Sequence, residues 1–177
     1  MTVKNEYGNA LFILAKEEGA TENVKNDIET AFAAIKENPE YVKLLDTPAV
    51  SKAEKLSLID EAFSAIHYSV KNLLKILSEK HAVYSFGSVK AEYDRLYDEL
   101  YGIERVEAIT VVPLSDSQSA ALEKKLAEMT GKRIILKNSV KPDILGGVIL
   151  RYSGTQLDGS VKARLQAFAS GLQNLNL

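Results

Sequence analysis

Through the first hundred residues, apolar side chains return at intervals of three and four, with no strong strand signal between them. That period belongs to amphipathic helices. Val3, Tyr7, Ala10, Leu11 and Leu14 make the first stripe, which Gly19 stops, and Val24, Ile28, Phe32 and Ile35 make the second. Asn38-Pro39-Glu40 opens a third, short helix. Asn38 is placed to cap free N–H groups, Pro39 has no N–H to lose, and Glu40 suits the positive end of the dipole. This helix carries Val42, Leu44 and Leu45 and ends near Thr47-Pro48. Ser51-Lys52-Ala53-Glu54 is a capping-box pattern ahead of Leu56, Ile59, Phe63 and Ile66. A fifth helix, from about Ser69, holds Val70, Leu73, Leu74, Ile76 and Leu77. The sixth, from Ser85, holds Phe86, Val89, Tyr93, Leu96, Tyr97 and Leu100 and closes at Gly102. Helices this short are marginal alone and must share a core, which predicts an N-terminal six-helix bundle.

After Gly102 the texture changes. Val106 to Val112 is rich in β-branched residues and stops at Pro113, as a strand does. Ser115-Asp116-Ser117-Gln118 is a second capping box, opening a helix with Leu122, Leu126 and Met129 that ends at Thr130-Gly131. Ile134 to Leu136, Val148 to Tyr152 and Thr155 to Leu157 read as three further strands, with a turn at Lys141-Pro142-Asp143 and another at Ser153-Gly154. Ser160 then caps a last helix bearing Val161, Leu165, Phe168 and Leu172. The fold class expected is mainly α with a small α+β part. Residues 1–104 form the helical bundle and residues 105–177 a small β-α-β-β-β-α domain.

Composition narrows the function. The 177 residues include no cysteine, so thiol catalysis, thiolate metal sites and disulfides are excluded. The longest apolar run, Ile144 to Leu150, falls far short of the ~20 residues a bilayer crossing needs, so no membrane insertion is expected. No export or organelle-targeting segment is read at the start, which points to the cytoplasm. The net charge of −2 divides unevenly: residues 1–104 hold 12 Lys+Arg against 18 Asp+Glu, and residues 105–177 hold 10 against 6. Neither half concentrates basic residues as a nucleic-acid binder does, so nucleic acid is not an expected partner. An acidic half and a basic half fit two different protein partners.

Catalytic patterns are almost absent. His67 and His81 stand apart from any metal-ligand spacing and read as structural, His81 at the end of the fifth helix. Gly131-Lys132 lacks the rest of a phosphate-binding loop, and Gly146-Gly147 reads as a close crossing or bulge ahead of a strand. Asp158-Gly159-Ser160 reads as a turn and an N-cap. An enzyme reading would have to rest on Asp143, Asp158, Arg151 and Arg164 at the domain junction. What remains is apolar surface. Tyr7, Leu11 and Leu14 on the first helix and Leu73, Leu74 and Leu77 on the fifth exceed one narrow stripe, as in helices buried on two sides or leaving a groove for a partner helix. An unrelated cytoplasmic adaptor that binds amphipathic helices would also fit.

Several motifs in order resemble one family. They are Tyr7-x-x-Ala10-Leu11-Phe12-x-x-Ala15, Asn38-Pro39-Glu40, Leu45-x-x-Pro48 with Lys55, and Asn72-Leu73-Leu74-x-x-Leu77-x-Glu79. Pro113-Leu114-Ser115 with Gln118, Gly146-Gly147-Val148, and Asp158-Gly159-Ser160-Val161 with Arg164-Leu165 complete the set. Together they resemble the delta subunit of bacterial F-type ATP synthase, counterpart of the mitochondrial oligomycin-sensitivity-conferring subunit. The chain departs from the family pattern at Asn5, Gly8 and His81.

The resemblance implies a non-catalytic subunit without cofactor or metal. It would be present as one copy per complex, on the cytoplasmic face of the bacterial membrane. It implies that the bundle binds the N-terminal helix of an alpha subunit in a groove between its first and fifth helices. The C-terminal domain would hold the b subunits of the peripheral stalk, so that the catalytic head resists rotor torque. Carried over residue by residue, the groove residues are Tyr7, Ala10, Leu11, Leu14, Leu73, Leu74 and Leu77.

Overall fold

The computed structural model describes residues 3–142, 144, 146–152 and 154–159. Among them are seven α-helices and four strands, so the protein is mainly helical with an α+β part. The chain divides into two compact units, Met1–Leu100 and Tyr101–Leu177.

The first unit runs α1 (Val3–Glu17), α2 (Thr21–Glu37), α3 (Pro39–Asp46), α4 (Lys52–Ala62), α5 (Tyr68–Glu79), a 3-10 turn (Val83–Ser85) and α6 (Phe86–Leu100). Each apolar stripe turns into one shared core. Leu11, Ile28, Leu45, Ile59, Leu74 and Phe86 stand for the helices they come from, and all are buried. At its centre Tyr93 meets the edge of Phe12, ring centroids 5.4 Å apart, and its hydroxyl donates to the Thr21 carbonyl at 2.9 Å.

Helix boundaries follow local chemistry. Gly19, at φ 65°, lets the chain turn after α1 without the penalty a Cβ would bring. The Ser51 hydroxyl accepts from the Glu54 amide at 3.3 Å while the Glu54 carboxylate accepts from the Ser51 amide at 3.1 Å, closing the capping box. The Ser51 hydroxyl also donates to that carboxylate at 2.9 Å, and this bond, with the one from the Ser51 amide, holds the Glu54 carboxyl below its ordinary range.

Two expectations need correction here. The Asn38 side chain does not cap α3; its amide donates back to the Ala34 carbonyl at 2.8 Å and closes α2 instead. Only one residue separates the two helices, and the orphan carbonyls of α2 win its side chain. Phe63 and Ile66 lie beyond α4, which ends at Ala62; Phe63 is buried from the C-cap position.

Gly8, where the family pattern departs, is a close approach. A Cβ there would sit 2.7 Å from Glu92 Cβ and 2.9 Å from the Val89 carbonyl oxygen on α6. Neither atom is the end of a flexible chain, so α1 and α6 must separate to admit one. Gly8→Ala is therefore expected to destabilise the protein by about 1–2 kcal/mol, although alanine gains ~1 kcal/mol over glycine in helix propensity. Urea unfolding tests this, and an unchanged or raised midpoint would show that α6 yields freely.

The second unit runs β1 (Ile103–Thr110), α7 (Asp116–Thr130), β2 (Arg133–Val140), β3 (Val148–Tyr152) and β4 (Thr155–Asp158). The sheet order is β2-β1-β3-β4, with β1 and β2 parallel and the other pairs antiparallel. A parallel neighbour needs a crossover, which α7 supplies. The central strand begins at Ile103 and ends at Thr110, not at Val112. Asn138 explains the end. Its amide donates to the Ala108 carbonyl and the Thr110 hydroxyl, and its oxygen accepts from the Leu114 amide at 2.8 Å. The chain is thus drawn away toward α7, whose capping box at Ser115 and Gln118 and left-handed Gly131 are both present. Gly146 and Gly147 adopt φ of 140° and 88° just before β3, conformations that favour glycine. The helix expected from Ser160 onward lies outside the described residues.

Candidate functional site

Helix α1 shares its side chains between the core and the surface. Leu11, Phe12 and Ala15 are buried. Tyr7, Ala10 and Leu14, at intervals of three and four, lie along one face. Tyr7 is half-buried against the core, whereas Ala10 and Leu14 are exposed. Ile13, beside them, is 49% exposed.

Helix α5 packs against α1 with a different balance. Leu73, Leu74 and Leu77 are buried with Val70 in the core, and Ile76, at 43% exposure, and Tyr68 are the large apolar side chains it leaves outside. The structure therefore brings the expected residues onto two neighbouring helices but divides them. Ala10 and Leu14 are open to a partner, Tyr7 lies at the border, and Leu11, Leu73, Leu74 and Leu77 are enclosed by the protein itself. Ile13 and Ile76 are additional exposed positions that sequence reasoning passed over. Their signal was an excess of apolar residues over one stripe, visible on both helices but not assignable to a face.

A polar cluster fixes the two helices at one end. The Tyr68 hydroxyl donates to the Glu18 carboxylate just past α1. His67 Nε2 lies 3.8 Å from Glu18, and the His67 backbone amide donates to Asp27 at 2.7 Å. His67 is the N-cap of α5, its ring nitrogen accepting from the Ser69 amide, which is a structural role. The hydrogen bond to Glu18, followed by desolvation and the carboxylate's charge, pushes the Tyr68 phenol above its ordinary range. His81 is also structural: at φ 52° it donates Nδ1–H to the Asp46 carbonyl at 2.8 Å.

Nothing described assembles into catalytic machinery. Arg151 is committed to Gln156 at 2.8 Å and lies 3.9 Å from Glu107. Asp158, the last residue of β4, is exposed, and Asp143 and Arg164 lie outside the described residues. No His/Asp/Glu group among the described residues is arranged to hold a metal ion, and no described helix is long and apolar enough to cross a membrane. What α1 and α5 leave outside is apolar area, Ala10, Ile13 and Leu14 on the first and Ile76 on the second.

Comparison with known proteins gives the same direction. Residues 3–172 match the family described as ATP synthase delta (OSCP) subunit. The ATP synthase subunit delta of Clostridioides difficile is 31% identical over 175 residues, covering 98% of this chain and 97% of that protein. The subunits of the same name from Flavobacterium johnsoniae and Carboxydothermus hydrogenoformans are each 32% identical, covering 95% and 93% of this chain and the same shares of their own. Among solved structures, a chain in the Toxoplasma gondii mitochondrial ATP synthase hexamer superposes with a TM-score of 0.74 at 27% identity, covering 98% of both chains.

Proposed function

Because this chain belongs to the ATP synthase delta (OSCP) subunit family, a non-catalytic part of the F-type ATP synthase, we propose that it ties the catalytic head to the peripheral stalk. In this reading residues 1–104, a six-helix bundle, seat the N-terminal helix of an alpha subunit. Residues 105–177 hold the b subunits. One copy serves each complex, on the cytoplasmic face of a bacterial membrane, and reaches the membrane only through its partners. The head then resists rotor torque, and proton flow is coupled to ATP synthesis.

The observation that carries the alpha-subunit assignment is the exposed strip of Ala10, Ile13 and Leu14 on α1, a helix that packs against α5. A partner helix presenting a few aliphatic anchors would cover it, and a few buried anchors supply most of the energy in such contacts. Calorimetric titration of the full chain with the alpha subunit's N-terminal peptide tests the reading. Saturable one-to-one binding is expected, and absence of binding, both to the peptide and to the intact head, would overturn it.

Charge supports the assignment of the second domain. Residues 105–177 carry an excess of four positive charges, while the rest of the chain carries an excess of six negative ones. Binding of b subunits is expected to weaken as salt rises from low to physiological ionic strength, because the Debye length shrinks to about 8 Å at 0.15 M. An affinity independent of salt would make the stalk contact apolar.

A further inference from the structure

A cavity lies in the first unit, at the connection from α3 to α4 and the C-terminal end of α5. Its volume is about 300 Å³, and it is lined by Pro48, Val50, Lys52, Lys55, Leu56, Ser78, Glu79 and His81. Lys55 is the unusual member. It is only 5% exposed, yet no described carboxylate or carbonyl pairs with its ammonium. Lysines are almost never buried this far without a partner.

The neighbouring carboxylates are already committed. Glu79 pairs with Lys52 at 3.0 Å. Asp46 accepts from the Val83 amide at 2.9 Å and the Tyr84 amide at 3.2 Å, and Glu54 belongs to the Ser51 capping box. The Ser78 hydroxyl donates to the Leu45 carbonyl at 3.2 Å, and His81 Nδ1 is held by Asp46. Every side-chain nitrogen or oxygen sealed from solvent among the described residues has a partner. The Lys55 ammonium has none, so it is not sealed, and Lys55 is one of the residues that line the cavity.

We propose that this cavity is an oxyanion site anchored by Lys55. A carboxylate or phosphate oxygen entering it completes a charge-assisted hydrogen bond that the folded chain leaves open. Pro48, Val50 and Leu56 wall the cavity, and their low polarity strengthens that attraction relative to bulk water. Lys55 and Lys52 also lie in the first turns of α4, at the positive end of its dipole. The site is separate from the exposed strip on α1 and stands or falls independently of the tether.

The test uses the full 177-residue chain, isotope-labelled, with the Lys55 ammonium and the Ser78 and His81 amides followed by nuclear magnetic resonance at fixed pH. One arm adds inorganic phosphate and the other N-acetylglutamate amide, each against sodium chloride of matched ionic strength. Saturable shifts at Lys55, Ser78 and His81 in either arm, absent with chloride, are expected. Lys55→Met, which keeps the stem and removes the charge, is expected to weaken them by about tenfold or more. A response to phosphate alone assigns a small free anion, and a response to the glutamate analogue assigns an acidic side chain of a partner. No saturation in either arm, or equal shifts in a folded Lys55→Met protein, overturns the proposal. If that variant does not fold, saturation at the wild-type Lys55 ammonium decides by itself.

Discussion

Tyr93→Ala is expected to cost about 3–5 kcal/mol, the largest stability loss of any substitution considered for this protein. The side chain is fully buried, its ring meets Phe12 edge-on at 5.4 Å, and its hydroxyl donates to the Thr21 carbonyl at the start of α2. Truncation removes the ring's burial, the aromatic pair and the hydrogen bond together, across three helices. Domains of this size hold only ~5–15 kcal/mol, so much of the first unit's margin disappears. Tyr93→Phe separates the contributions. It keeps the packing and is expected to cost about 1–2 kcal/mol, chiefly from leaving the Thr21 carbonyl short of its donor. Urea unfolding followed through the helical signal measures both. A loss below 1 kcal/mol for the alanine variant would remove Tyr93 from the centre of the core.

Ala10→Asp is expected to leave the protein folded and to weaken binding of the alpha-subunit peptide by about 2–4 kcal/mol, roughly 30- to 1000-fold. Ala10 is exposed on the face that also carries Leu14. A carboxylate there is hydrated in the free chain and stripped of water beneath an apolar partner helix. Its cost to the free helix is only the ~0.7 kcal/mol difference in propensity. Leu74→Ala is the contrasting control: Leu74 is fully buried, and its truncation is expected to cost about 2–5 kcal/mol of stability. Circular dichroism and calorimetry on the same samples separate the cases. A folded Ala10→Asp protein that binds normally would move the seat off this face of α1, and an unfolded one would place Ala10 in the core.

Much of the local structure was legible because it depends on neighbours in sequence. The boxes at Ser51-Glu54 and Ser115-Gln118 close within three residues, so the pattern alone identifies them. The same holds for Gly19 and Gly131, whose positive φ ends a helix whatever packs around it. Asn38 was misread for the complementary reason. It stands between two helix ends with opposite demands, and its side chain can serve only one. The end of β1 at Thr110 depends on Asn138, which comes from another strand and has no signature near Thr110.

The candidate surface was half legible. Tyr7, Ala10 and Leu14 share a helical face by spacing, and α5 is too apolar for one stripe, so a pair of helices with more than one apolar neighbour follows from sequence. Which side chains remain open does not. Leu11 and Ala10 are adjacent, yet one is buried and the other exposed, because each residue turns the helix by about 100° and the packing of α5 and α6 decides which side is covered. Lys55 makes the same point for a charged group: its place in the sequence motif says nothing of burial, and only folding leaves it 5% exposed and lining a cavity. By itself, then, the sequence determined helix and strand type among the described residues, the two capping boxes and the family, since these rest on periodicity, short-range hydrogen bonding and ordered motifs. The tertiary structure decided which apolar and charged side chains stay available, because burial is set by elements far apart in the chain.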